Sequence, residues 1–300
     1  MKIIVILFFS MLLALPTYGQ NRETDYLSHV LEKMNAVESV TYHCVKKAWE
    51  PGDKEPVYSV PTEIYEHVNP QDTAVGYSFL CASDKEFRQP LWVYDGTVFA
   101  YIEKEEKEVR IDDFTQKSPL PFRVIMPQAF GCMKSILEYV LNTQDSIVLS
   151  LKDEGKDYLM ELSIHTPYQV EFFGKACYMP QNPYIYDPTS IYKIWISKEN
   201  DMPYRYRREM QHSISEGICS DFVYNPYGKG KIVAEDYYPA DYVRRIKGEK
   251  SQKATVDMTG KKAPDWTLTD MKGQQVSLSG IKSKVILLQF TGIGCGPCKI

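Results

Sequence analysis

The pattern of apolar and polar positions divides the chain into stretches of two periods. From Tyr26 to Val37 the apolar residues Leu27, Val30, Leu31, Met34 and Val37 recur at helical spacing, which predicts an amphipathic helix with one packing face. A second helix is predicted where Met133, Ile136, Leu137, Val140 and Leu141 share one face. Between and after these the pattern is strand-like. Ser39–Trp49 and Thr62–His67 are β-rich, and Leu91–Tyr94 and Thr97–Tyr101 flank Asp95-Gly96 as a tight hairpin. Ser146–Lys152 and Tyr158–His165 flank the turn-forming run Asp153–Asp157, and Ile191–Ser197 and Tyr204–Met210 flank a turn centred on Glu199-Asn200-Asp201. One helix, several strands, a second helix and more meandering strands predict an α+β domain: an antiparallel curved sheet with covering helices.

The pattern changes at both ends. Lys2, the apolar run Ile3–Leu15, Pro16 and the small residues Thr17 and Gly19 read as an export signal over residues 1–19. The apolar run is shorter than the roughly 20 residues a membrane anchor needs. Export places the chain in the periplasm or cell envelope, where disulfides persist. Residues 246–258 are polar and charged and read as a linker, with a new unit beginning at Thr259.

Composition adds little to this picture. A formal net charge of -4 gives no electrostatic reason for a nucleic-acid partner. The basic clusters Arg205–Arg208 and Arg244–Lys253 are surrounded by acidic residues and read as a solvated face. The 22 tyrosines favour strands. Five cysteines, Cys44, Cys81, Cys132, Cys177 and Cys219, are odd in number and irregular in spacing, which is not the disulfide framework of a small scaffold. Buried free thiols, with one or two bridges, account for them.

Residues 24–245 resemble, at the level of pattern, the LolA-like outer-membrane lipoprotein carrier fold. The resemblance rests on the turn Lys198–Pro203 between Trp195-Ile196-Ser197 and Tyr204, and on the opening helix followed by the strand Val40–Val45. It implies a curved sheet with an apolar concavity able to hold an acyl chain, and hence a lipid or lipoprotein partner. A sheet that packs directly on its helices accounts for the same pattern.

The chemistry lies in the last segment. Asp270-Met271-Lys272-Gly273 predicts a turn between short strands at Thr267–Thr269 and Val276–Leu278. Val285–Phe290 is a continuous apolar run, the pattern of a buried central strand. It leads into Cys295-Gly296-Pro297-Cys298. At a helix N-terminus, unpaired N–H groups and the dipole favour the thiolate of Cys295, and Cys298 one turn later can resolve a mixed disulfide. No second cysteine pair exists for a structural zinc site, Lys299 replaces the histidine of haem attachment, and neither a cofactor nor a metal is implied.

Residues 259–300 resemble the front of a TlpA/ResA-type thioredoxin-like domain, a redoxin unit. They share the Gly-x-x-Ala-Pro entry, the Asp-x-x-Gly hairpin, the hydrophobic strand and the Cys-Gly-Pro-Cys redox centre. The resemblance implies an exported thiol–disulfide oxidoreductase with Cys295 as nucleophile and Cys298 as resolving cysteine. Disulfide-containing protein clients and an upstream thiol reductant would be its partners. Gly294 departs from the family's usual tryptophan. The family fold continues past the motif with further helices, strands and a cis-proline. As written, the segment is therefore expected to be inactive, with a reading frame cut short as the simplest account. The alternative expectation is a periplasmic lipid- or lipoprotein-binding module with a vestigial redox segment.

Overall fold

The computed structural model describes residues 18–115, 122–181, 185–249 and 259–288. The expected export signal, most of the linker and the Cys-Gly-Pro-Cys motif lie outside them. Contacts divide the chain into two compact units, residues 1–247 and residues 248–300.

The first unit is α+β, a long curved antiparallel sheet with two helices. Helix α1 (Tyr18–Asn35) leads into β1 (Ser39–Trp49), β2 (Tyr58–Val68), β3 (Tyr77–Ala82), β4 (Pro90–Tyr94), β5 (Val98–Glu103) and β6 (Glu108–Asp113). Helix α2 (Ala129–Asn142) precedes β7 (Ile147–Glu154) and β8 (Asp157–Ile164). A small hairpin, β9 (Val170–Phe172) and β10 (Ala176–Tyr178), stands apart from the main sheet. Strands β11 (Ser190–Ser197), β12 (Met202–Met210), β13 (Ser213–Tyr224) and β14 (Val243–Ile246) complete it. The order of the 12 strands is β14-β6-β5-β4-β3-β2-β1-β13-β12-β11-β8-β7. All pairings are antiparallel except β14 on β6. The sheet thus has two halves that meet only where β1 pairs with β13.

The helix-side core takes in residues of both halves, and a second core covers the opposite face of β2–β6 alone. On one face Leu27, Val30 and Met34 of α1 and Phe130, Met133, Ile136 and Leu137 of α2 pack with Val40, Tyr42, Ile194, Tyr206 and Met210. On the opposite face, the segment after β13 crosses β2–β6 as a strap. It inserts Ile232 and Ala234, both fully buried, among Tyr65, Leu80, Val93, Ala100 and Val109. Tyr65 donates to the Gly230 carbonyl (2.7 Å) and the Ala234 N–H donates to Asp95 (3.2 Å), which fixes the strap before it reaches β14.

The outer face of β7–β13 is a ladder of alternating charges. Glu216 accepts from Arg205 and Arg207 (both 3.2 Å), Arg207 and Lys193 share Glu209, and Lys193 and Lys152 meet Glu161. Arg205 lies 3.9 Å from the Trp195 ring centre and Arg207 4.8 Å from that of Trp49. The solvated basic face expected at Arg205–Arg208 is therefore corrected at one residue. Strand alternation turns Arg208 inward, where it is 8% exposed and pairs with the buried Glu171. Helix α1 also begins eight residues before the periodic stripe, which the sequence shows only from Tyr26.

In the second unit β15 (Thr267–Thr269) and β16 (Gln275–Ser277) form the expected hairpin. The apolar run that follows departs from expectation: residues 285–288 are irregular and exposed, Val285 at 83% and Leu287 at 91%. A central strand needs a ladder on each edge and cover on both faces, and the described part of this unit offers only a two-stranded hairpin.

Candidate functional site

Cys295 and Cys298 fall outside the described residues, so the geometry available for a site is that of the first unit. The place expected to hold an acyl chain, between helices and sheet, is filled. Leu27, Val30, Met34, Met133, Ile136 and Leu137 have no accessible surface, so no chamber large enough for water lies against them. In this half of the sheet the directly packed alternative is the one realised.

The packed region ends at an unusual cap. The N-terminus of α2 has Gln128 as its N-cap, which makes no side-chain cap bond. The carboxylate of Glu66 on β2 takes its place, accepting the N–H groups of Phe130 (3.0 Å) and Gly131 (3.1 Å) and the hydroxyl of Tyr42. Glu66 has no exposed surface. Burial pushes its carboxyl from 4.5 up to about 7, although Tyr42, the two N–H groups and the Lys46 ammonium favour the ionised form. Lys46 also donates to Gln128 and lies 5.0 Å from the ring centre of Trp92.

Beyond Glu66 the same face continues across β3–β6 as an aromatic shelf. The Asp95-Gly96 turn sets the register Trp92↔Tyr101, Val93↔Ala100 and Tyr94↔Phe99. Period-two alternation then sends Val93, Ala100 and Ile102 to the strap, and Trp92, Tyr94, Phe99 and Tyr101 to the helix side. Trp92 and Tyr101 stack with an interplanar angle of 2° and centroids 6.1 Å apart. Phe79 joins Tyr94 (5.4 Å) and Phe99 (6.4 Å). Tyr94 is buried and anchored to Asp72 (2.6 Å), whereas Trp92 and Phe99 are half-buried and Tyr101 is 44% exposed.

At its far end the shelf opens into a groove of about 300 Å³. Phe99 and Tyr101 lie at its base, and Arg110, Asp112, Arg245 and Lys247 stand around it. Each cation has an acidic partner: Arg110 with Glu103 (2.5 Å), Arg245 with Glu108 (2.6 Å) and Lys247 with Asp112 (2.5 Å). An aromatic floor bordered by ion pairs suits an amphipathic ligand, with its apolar part on the rings and its polar part at the rim. The sequence signal was present as aromatics at alternate positions on both arms of the β4–β5 hairpin. Alternation alone signals β-propensity and does not reveal which face lacks cover.

No family model matches the chain. A thiol-disulfide oxidoreductase ResA from Bacillus thuringiensis (strain Al Hakam) is 40% identical over 40 residues, 13% of this chain and 23% of that protein. ResA from Bacillus anthracis matches to the same extent. The chain thus spans less than a quarter of the length of the curated relatives it matches. Among solved structures, the Mycobacterium tuberculosis lipoprotein LppX is 8% identical with a TM-score of 0.36, over 71% of this chain and 100% of that one. A putative outer membrane lipoprotein-sorting protein domain from Vibrio parahaemolyticus has 9% identity and a TM-score of 0.33, covering 71% and 95%. A LolA superfamily protein from Nitrosomonas europaea has 10% identity and a TM-score of 0.26, covering 72% and 99%. All three scores are low, so the likeness carries no residue-by-residue correspondence. Among the described residues no helix is long and apolar enough to cross a membrane.

Proposed function

We propose that residues 18–247 form a binding module of the cell envelope that holds the acyl chain of a lipid or lipoprotein on the aromatic shelf. One observation carries this reading: the cover on the helix side ends short of β4 and β5 and leaves Trp92, Phe99 and Tyr101 partly accessible. Three neighbouring aromatic side chains kept partly in water form an apolar surface suited to a ligand. The export signal expected from the sequence and the LolA-like sequence pattern agree with it. The full-length chain, purified from envelope and extracted with organic solvent, should release acyl species detectable by mass spectrometry. The variant Trp92→Ala/Tyr101→Ala should release far less. Wild-type protein that carries none, and takes up none when offered palmitate, would contradict the reading.

A second reading is supported by the Cys-Gly-Pro-Cys motif and the short likeness to ResA. In it the C-terminal segment is the front of a thioredoxin-like unit that reduces or exchanges disulfides of protein clients, with Cys295 attacking and Cys298 resolving. An upstream thiol reductant would restore the pair. A version of the chain carrying the rest of a thioredoxin-like domain should reduce insulin disulfides, and its Cys298→Ser variant should trap clients on Cys295. Absence of both effects would sink this reading.

A further inference from the structure

The two halves of the sheet meet along β1 and β13, and a cysteine stands on each side of that seam. Cys44 is paired in register with Cys219. The hydrogen-bonding pattern defines the kind of pair. Val68 donates to the Glu38 carbonyl, which turns the even-numbered residues of β1 toward β2. Asn225 donates to the Ser39 carbonyl, which turns the odd-numbered ones toward β13. The register of β1 on β2 is unbroken from Ser39 to Ala48, so this parity holds at Cys44. Cys44 and Cys219 therefore face each other as a non-hydrogen-bonded pair, in which Cα atoms stand about 4.5 Å apart. That lies within the range of about 4.4–6.8 Å that a disulfide spans.

A bulge places Cys219 there. The register slips by one residue between Thr41 and His43, where Asp221 adopts φ 57°. Before the slip Tyr224 and Phe222 point to the helix side; after it Cys219 and Gly217 do. Without the extra residue, Ser220 would oppose Cys44. Both cysteines are buried, at 0% and 4% exposure, and both are free thiols here. Cys219 beside it draws the Cys44 thiol down, while burial pushes the Cys219 thiol well up. Cys81 is on β3, separated from β1 by β2, which puts two strand spacings of about 4.8 Å between it and Cys44. That distance exceeds the reach of a disulfide.

We propose that Cys44 and Cys219 join as a cross-strand disulfide when the chain folds in the presence of a disulfide oxidant. The Cys44 thiolate attacks one sulfur of the oxidant, breaks its S–S bond and forms a mixed disulfide. Cys219 then gives up its proton and attacks the Cys44 sulfur, releasing the oxidant's second thiolate. Two thiols of the chain lose two electrons, and the oxidant's disulfide becomes two thiols that take up the two protons. Exchange belongs to folding, before the seam closes over both sulfurs. The bond locks the first half of the sheet to the second at their one junction. It also closes a loop spanning residues 44 to 219, long enough for a large effect on the unfolded chain.

The test uses the full-length wild-type chain, unfolded and refolded in a glutathione redox buffer or in dithiothreitol. Each sample is quenched in acid, alkylated under denaturing conditions and mapped by mass spectrometry. The expected result is a cross-linked pair of peptides carrying Cys44 and Cys219 in the glutathione sample, and both residues alkylated in the reduced one. The oxidised protein should melt higher by roughly 10 °C. Cys44 and Cys219 both alkylated after refolding in glutathione, or Cys44 joined to another cysteine, would overturn the proposal. Because the test needs neither export nor ligand, its failure leaves the acyl-binding reading standing.

Discussion

Glu66 is the residue whose environment most strongly governs its chemistry. In the unfolded chain its carboxyl titrates near 4.5, and burial pushes it up to about 7 in the fold. Between those values the folded state holds a proton that the unfolded state has lost. This group's contribution is therefore fully present at acid pH and fades as pH rises toward neutrality, by roughly 3 kcal/mol in all. The Glu66→Gln variant keeps an acceptor for the α2 N–H groups and has nothing to titrate. Urea midpoints at about pH 5 and about pH 8 should differ less for this variant than for wild type. An unchanged difference would place the pH dependence elsewhere. Nothing in the sequence marked Glu66. A glutamate in a β-rich stretch is ordinarily a solvent-facing residue, and its cap partners lie 64 and 65 positions away.

Elements were legible where one face packs and the other is wet. β1 was readable to its ends, and the β4–β5 hairpin was announced by Asp95-Gly96, where Gly96 has φ 98°. Strands β3, β6, β13 and β14 were less visible. β3 is buried throughout, so it shows no alternation. β13 changes parity at its bulge, and β14 is a short edge strand that only the strap brings to β6. The turn between β9 and β10 depends on Gly174, which has φ 79° and lies against Val75. A Cβ there would stand 2.0 Å from the Val75 carbonyl oxygen. Gly174→Ala should therefore lower stability by more than about 3 kcal/mol. A melting temperature within about 2 °C of wild type would show that the turn moves aside.

Across the whole molecule, fold class was readable and function only in outline. The order of helices and strands pointed to the α+β class, but pattern could not say how far the helix-side core reaches or that a strap covers the opposite face of β2–β6. What stays accessible is an aromatic shelf on β4 and β5, where the resemblance implied an apolar concavity. A chain ending at Lys247 contains both cores and should melt cooperatively with β-rich far-UV circular dichroism. In the second unit, residues 259–288 offer one isolated hairpin, so their amides should exchange with solvent far faster than those of β1 and β13. Protection equal to that of β1 would mean this segment is held by more than its hairpin.

The central claim, an acyl chain seated on Trp92 and Tyr101, is tested most directly by titrating the full-length chain with a fluorescent palmitate analogue. Wild type should saturate at about one ligand per chain. Trp92→Ala/Tyr101→Ala should weaken binding by roughly tenfold or more, while Trp195→Ala, on the charged outer face, should leave it unchanged. Equal affinity in all three proteins would contradict the account.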